Sequence, residues 1–152
     1  MNPRFILLLS LFLGGCAGSK PPLLVKQFQL RDQESTISEE PLIRMEKDRH
    51  LHGAISLAER NKLLGEYYTL TWNTPPNSGK GPITLLFQYQ QDASASRIKR
   101  MIKTFSASPA HGKTEFSITG DNYTKGGKAL SWKATLLRAD RELASRQSYL
   151  WQ

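Results

Sequence analysis

The sequence EYYTLTW, residues 66–72, predicts a β-strand, because large apolar side chains recur at every second position. Successive side chains of a strand point to opposite faces, so Tyr68, Leu70 and Trp72 share one face. The sequence TPPNSG, residues 74–79, follows this strand, and its proline and glycine residues predict a turn. A strand with one apolar face must cover that face with another layer, so this stretch indicates a β-rich domain.

Four further segments repeat the period of two. They are residues 83–89, 114–119, 130–137 and 142–151, and the third should turn inward Leu130, Trp132, Ala134 and Leu136. Short strands separated by turns predict a mainly β protein, a small antiparallel β-sandwich. The tryptophan-centred strand and the closing hairpin resemble the end of an immunoglobulin or fibronectin type III domain, over about the last 85 residues. This resemblance implies an immunoglobulin-like fold and nothing about function.

One or two short helices should precede the sandwich. Ser56 and Glu59 have the spacing of a capping box, which predicts a helix over residues 57–64 with Gly65 as its left-handed C-cap. Apolar residues among charges suggest an earlier helix, from Pro41 to near Gly53. Residues 24–30 are a candidate first strand.

These elements divide the exported chain into two parts. Residues 23–65 should contain the N-terminal strand, a polar loop and the short helical segment. Residues 66–152 should form the β-sandwich domain. The chain has a single cysteine, so its stability must come from a hydrophobic core and not from an internal disulfide.

Residues 97–105 permit two interpretations. Ile98, Met101, Ile102 and Phe105 have helical spacing, and an amphipathic helix of this kind would lie on an anionic membrane surface. As a strand, the segment would pair with residues 83–90 across a short turn. We favour the strand, because the neighbouring segments are strands and the intervening turn is short.

The first 15 residues have the layout of a bacterial export signal. Residues 1–4 carry positive charge, and residues 5–13 are apolar apart from Ser10. This run is shorter than the roughly 20 apolar residues that a membrane span needs. We therefore expect a signal peptide and not a transmembrane anchor.

The next residues, Leu13-Gly14-Gly15-Cys16, resemble the lipobox of bacterial lipoproteins. The resemblance covers about the first 18 residues and implies cleavage after Gly15 and acylation of Cys16. Residues 1–15 are then the signal peptide and residues 16–22 a lipidated tether. Ala17 stands where an aspartate would signal retention at the inner membrane, so the resemblance implies the outer membrane, with the domain facing the periplasm. A plain secretory signal or a buried N-terminal helix are the alternatives.

Charge is concentrated in the C-terminal part. Residues 97–152 contain eleven basic and four acidic side chains, a net charge of +7. This excess favours contact with an anionic partner, and the candidate surface consists of Arg97, Lys99, Arg100 and Lys103. The alternative is that these are solvated side chains on the open faces of strands. Nucleic acid is not expected as a partner, because export removes the protein from the cytoplasm.

The sequence offers little for catalysis. His50, His52 and His111 lie in separate segments, and a zinc site needs at least three protein ligands. The glycine-rich sequences 79–82 and 125–128 predict turns and lack the context of a phosphate loop. We therefore expect no cofactor, no metal and no enzymatic activity, and interpret the chain as a lipid-anchored structural or binding module that contacts an envelope protein or an anionic polymer. The alternative is a small metal-handling or hydrolytic lipoprotein, which requires the three histidines to converge.

Overall fold

The computed structural model describes residues 21–33, 38–94, 96–106 and 109–151. Seven strands and three α-helices lie within these residues, together with a 3-10 turn over Asp92–Ser94. In chain order the strands and helices are β1 (Leu23–Leu30), α1 (Pro41–Leu51), α2 (Leu57–Leu63), β2 (Gly65–Asn73), β3 (Ile83–Gln91), β4 (Lys99–Phe105), β5 (His111–Thr119), α3 (Asp121–Gly126), β6 (Ala129–Arg138) and β7 (Arg141–Gln147). No helix within the described ranges is both long enough and apolar enough to cross a membrane.

The strands form two antiparallel sheets. Their orders are β1-β2-β5 and β4-β3-β6-β7. The first sheet has three strands and the second has four, with β4 and β7 at the edges of the second sheet. The predicted fold class, a mainly β, small antiparallel sandwich with short helices, is confirmed.

Strand β1 is an integral part of this sandwich. It pairs with β2 along its whole length, from Leu23 opposite Trp72 to Leu30 opposite Gly65. Helices α1 and α2 therefore form an insertion between two paired strands of the first sheet. The sheets extend across the boundary that the sequence suggested between residues 65 and 66.

The core lies between the two sheets. Tyr68, Leu70 and Trp72 are at most 2 % exposed, as their alternation predicted. From the opposing sheet, β3 contributes Ile83, Leu85, Phe87 and Tyr89. The ring centroids of Tyr68 and Phe87 are 4.6 Å apart across the core. Such aromatic side chains bury the largest areas and so dominate the cohesion of the sheets.

The strand interpretation of residues 97–105 is confirmed. Strand β4 pairs with β3, with Lys99 opposite Tyr89 and Phe105 opposite Ile83. Phe105 packs against the core, so the period of two places Lys99 and Lys103 on the inner face of β4 and Arg100 on the outer face.

The prediction that Leu130 faces the core is wrong, because its side chain is exposed. Strand β6 contains a bulge: Ala129 and Ser131 pair with two consecutive residues of β3, so Leu130 is the additional residue. An additional residue breaks the alternation of faces. Beyond the bulge the alternation returns, and the inward residues are, as predicted, Trp132, Ala134 and Leu136.

Both predicted helices are present, and the capping box of α2 forms. The Ser56 Oγ accepts a hydrogen bond from the Glu59 amide at 3.2 Å, and the Glu59 carboxylate accepts one from the Ser56 amide at 3.0 Å. Gly65 is not a left-handed C-cap; it begins β2 with a φ of 151°. A Cβ there would lie 2.1 Å from the carbonyl oxygen of Ile118, so close approach of the β5 backbone requires the glycine.

The last strand is shorter than predicted and ends at Gln147. The Ser148 amide donates to the Trp132 carbonyl at 2.9 Å, and the Ser148 Oγ accepts from the Trp132 amide at 2.9 Å. The Ser148 side chain thus accepts from the Trp132 amide where a strand would use a backbone carbonyl. The chain turns after Ser148, and Tyr149 is fully exposed.

Candidate functional site

The two ends of the sandwich differ in what they carry. At one end the Pro22 carbonyl accepts a hydrogen bond from the Asn73 amide. We call this the tether end, because the predicted tether, residues 16–22, precedes β1 there. Strand β1 runs from this tether end to the opposite end, about 25 Å away for eight residues. At that far end Leu30 and Thr119 both flank Gly65, and α3 follows Thr119 directly.

A cleft of about 440 Å³ opens at the far end, between the 91–97 turn and α3. Its lining residues are Ala93, Ser94, Arg97, Lys99, Asp121, Asn122, Lys125 and Gly126. Three of these are cations and one is an anion. We call this the far-end cleft.

A buried amide holds the two walls of the far-end cleft together. Gln91 is 0 % exposed, and its Nε2 donates to the carbonyl oxygens of Asn122 and Gly127, both at 2.8 Å. The Gln91 Oε1 accepts from the Lys99 Nζ at 2.7 Å. A Cβ at position 126 would lie 2.6 Å from the Gln91 amide, so Gly126 makes room for it. One side chain therefore joins β3, β4 and α3.

The 91–97 turn is closed by a serine. The Ser94 Oγ accepts a hydrogen bond from the backbone N–H of Gln91 at 3.1 Å and donates one to the backbone carbonyl of Gln91 at 3.0 Å. The Arg97 amide donates to the Ser94 carbonyl at 2.9 Å. These bonds hold the backbone of Arg97 at the mouth of the cleft.

The cations of the far-end cleft differ in their partners. Lys125 Nζ pairs with Asp121 at 2.9 Å, and both side chains are exposed. Among the described residues, no carboxylate oxygen lies within 4.0 Å of the charged groups of Arg97 or Lys99. The cleft therefore keeps uncompensated positive charge.

The predicted basic surface is divided by the fold. Arg97 and Lys99 line the far-end cleft, whereas Arg100 projects from the outer face of β4. Lys103 does not line the cleft but contacts β5: its Nζ donates to the Glu115 carbonyl at 2.7 Å and lies 5.3 Å from the centre of the Phe116 ring. It bridges β4 and β5 across one open side of the sandwich, and Arg146, which donates to the Leu23 carbonyl at 3.1 Å, bridges the other side.

The three histidines do not converge. His50 lies over Tyr67 with ring centroids 3.7 Å apart, whereas His111 pairs with Asn73, six residues further along β2. Six residues of a strand span about 20 Å. His52 is exposed just beyond α1. Within the described ranges, no group of three metal-binding side chains is present.

His50 instead anchors α1 on the outer face of the first sheet. Its ring contacts those of Phe28 and Tyr67, which lie opposite one another on β1 and β2. The Arg49 Nη2 is 2.8 Å from the His50 Nε2, and arginine can only donate, so this nitrogen accepts. Burial lowers the pKa of His50, and Arg49 adds to that effect against the opposing charge of Glu115. Burial also disfavours the charged form of Tyr67, which for a phenol raises the pKa, here to about 12.

A second cleft, of about 460 Å³, lies between α1 and β1. We call it the helix cleft. Its buried cation, Lys47, pairs with Asp32 at 2.6 Å and with Glu39 at 2.5 Å. Burial opposes the charged form of Lys47, but these two hydrogen bonds outweigh it and raise the pKa of the ammonium group.

Two residues that organise the far-end cleft were not identified from the sequence. Gln91 continues the inward register of Ile83, Leu85, Phe87 and Tyr89, and a polar residue at a core position was a usable signal. Lys125 carries no such signal, because the glycine-rich sequence 125–128 predicts a turn and not a helix.

The predicted lipidation site, Cys16 with Gly15 before it, lies outside the described residues. No family model matches the chain, and comparisons with curated proteins and with solved structures find no significant similarity. The features of this chain that bear on function are therefore its sequence motifs and the two clefts.

Proposed function

We propose that the chain is a lipid-anchored envelope lipoprotein that acts as a non-enzymatic binding or structural module. Its signal peptide is removed after Gly15, Cys16 is acylated, and the sandwich faces the periplasm from the outer membrane. The partner is an envelope protein or an anionic polymer. The lipobox-like sequence supports the anchor, and acyl chains contribute about 0.8 kcal/mol for each buried methylene.

The observation that carries the binding role is the position of the far-end cleft. From Cys16 to Pro21 the chain reaches at most about 18 Å when fully extended, which keeps the tether end near the bilayer. The cleft lies at the other end of β1, so a lipid anchor would turn its cations away from the membrane. Uncompensated cations facing the periplasm favour a negatively charged partner there.

The basic surface in this proposal is the far-end cleft and not the whole 97–103 segment. Arg97 and Lys99 remain members, and Lys125 joins them from α3. Lys103 and Arg146 contribute to the basic composition, but they bridge the sheets. Part of the excess charge is therefore structural.

The experiment compares the two ends of the sandwich in intact cells. A photo-crosslinking residue replaces Ser96 at the far end or, as the control, Asn77 in the loop at the tether end; both positions are exposed. We expect a reproducible crosslinked envelope component from position 96 and none from position 77. Equal crosslinking from both ends would contradict the proposal.

The anchor has its own test. Mass spectrometry of the N-terminal peptide from purified membranes should find an acylated Cys16. The Cys16→Ser variant should then leave the membrane fraction. An unmodified N-terminus in the soluble fraction would overturn the anchored arrangement.

A further inference from the structure

We infer that the far-end cleft binds one oxyanion group, a phosphate or a carboxylate, carried on a sugar unit of an envelope polymer. This inference rests on the proposed function and specifies the ligand of the same site. Three features of the cleft support it: the way Lys99 is held, the exposed ion pair of Asp121 with Lys125, and the size of the cleft.

Lys99 is held in place without being neutralised. Its ammonium group donates to the Gln91 Oε1 at 2.7 Å, and Gln91 has both amide hydrogens committed to backbone carbonyls. The amide oxygen must therefore face Lys99. A lysine has three donors, so the ammonium group retains donors for a ligand. A neutral acceptor fixes the cation and leaves its charge for an anion.

The Asp121–Lys125 pair is suited to exchange. Its side chains are 85 % and 76 % exposed, and exposed ion pairs of this kind contribute little to stability. An oxyanion that enters the cleft would replace Asp121 as the partner of Lys125, and breaking the exposed pair would cost little free energy because Asp121 can turn to solvent. Asp121 also opposes a second negative charge, so the cleft favours one anionic group over a highly charged chain.

The size of the cleft favours a sugar-sized ligand. Its volume of about 440 Å³ lies in the range of about 300–1,000 Å³ that is usual for small-molecule sites. Charged and amide groups line the same space, namely Arg97, Lys99, Lys125 and Asn122. Charge-assisted hydrogen bonds to an oxyanion and neutral hydrogen bonds to a sugar are both available there. An extended acidic peptide, which presents many carboxylates along a strand, fits this concave site less well.

The test is a calorimetric titration of the full acylated chain in nanodiscs of zwitterionic lipid. The probes are glucose 6-phosphate, glucuronate, uncharged glucose and an octaglutamate peptide. We expect one-to-one binding of the phosphorylated sugar, the carboxylated sugar or both, and none of glucose. The two charged sugars distinguish a phosphate-bearing polymer from a carboxylate-bearing one.

Two variants with the same loss of charge identify the site. Lys99→Met should weaken the affinity for the charged sugar about tenfold, the usual effect of losing one charge-assisted hydrogen bond. Arg100→Gln, on the outer face of the same strand, should change it less than about twofold, because exposed charges at a distance are screened. Thermal unfolding of both variants checks that the fold is intact, and Arg97→Gln provides a second cleft variant if Lys99→Met unfolds.

Three outcomes would overturn the inference. Equal weakening by Arg100→Gln would indicate diffuse charge and not a site. Binding of octaglutamate alone would indicate an acidic protein partner. No binding of any probe would remove the sugar oxyanion as ligand, while crosslinking from position 96 would still support the broader binding role.

Discussion

The helix cleft and the far-end cleft have nearly equal volumes, about 460 and 440 Å³, but they use their charges differently. In the helix cleft the buried cation Lys47 is paired with two carboxylates, Asp32 and Glu39. In the far-end cleft Lys99 is held by the neutral amide of Gln91. Paired charges attach α1 to the segment between β1 and α1, whereas a fixed but uncompensated cation is available to a ligand. The comparison predicts that substitutions in the first cleft change stability and those in the second change binding.

The largest expected effect on stability is at Lys47. Lys47→Met keeps most of the side-chain volume but leaves two carboxylates without their cation. We expect a loss of about 2 kcal/mol in the free energy of unfolding, less than for a fully buried pair because Asp32 is largely exposed. Denaturant unfolding measures it, with Lys62→Met on the exposed face of α2 as the control. A Lys47→Met variant as stable as the control would show that the helix cleft does not attach α1.

The next effect is the pH dependence that His50 confers. Its pKa is lowered on folding from the ordinary value of 6.5, so the unfolded chain binds the proton more readily. The stabilising contribution is complete above pH 6.5 and is lost as the pH falls through 6.5 toward the lowered pKa. Between pH 7.5 and 5.5 we expect the free energy of unfolding to fall more in the wild type than in His50→Gln, because only the wild type takes up this proton on unfolding.

His52→Gln is the matched control for this experiment. His52 lies two residues further along and is exposed, so its removal should leave the pH dependence unchanged. The same pH profile in wild type and in His50→Gln would place the titrating group elsewhere. The groups that face His50 are Arg49, Glu46, Glu115 and Tyr67.

The smallest effect on stability is expected in the far-end cleft. Asp121→Asn removes an exposed ion pair and should change the free energy of unfolding by less than about 0.5 kcal/mol. It should also strengthen the binding of glucose 6-phosphate about threefold, the effect of roughly 0.7 kcal/mol for one unit charge screened by water. Unfolding and calorimetry on the same sample separate the two effects. A large loss in the free energy of unfolding of Asp121→Asn would show that the ion pairs of both clefts stabilise the fold, and would contradict the contrast between them.

Local patterns predicted much of the fold. The alternation in β2 and β3 identified their buried faces, because side-chain direction in a strand depends only on position along it. The capping box at Ser56 was equally local, since its partners lie three residues apart. The same reasoning failed at Leu130, where a bulge set by pairing with β3 moved the side chain to the surface. It also failed at Gly65, whose requirement for glycine comes from the β5 backbone.

The candidate site was predicted only in part. Arg97 and Lys99 were identified by charge, and Arg100 and Lys103 were grouped with them because they are adjacent in sequence. Strand geometry then placed Arg100 on the outer face, and contact between the sheets committed Lys103 to a β5 carbonyl. Lys125 entered the cleft from a segment that was not predicted to be helical.

The sequence by itself determined the strands, the helix start at Ser56, the lipobox-like motif and the excess of positive charge. Each of these depends on residues that are close together along the chain. The tertiary structure alone decided which cations are neutralised and which are not. Gln91 meets Gly127, and Lys47 meets Asp32, only after distant segments have packed. Charge neutralisation depends on distances of a few ångströms in space, which spacing along the chain does not specify.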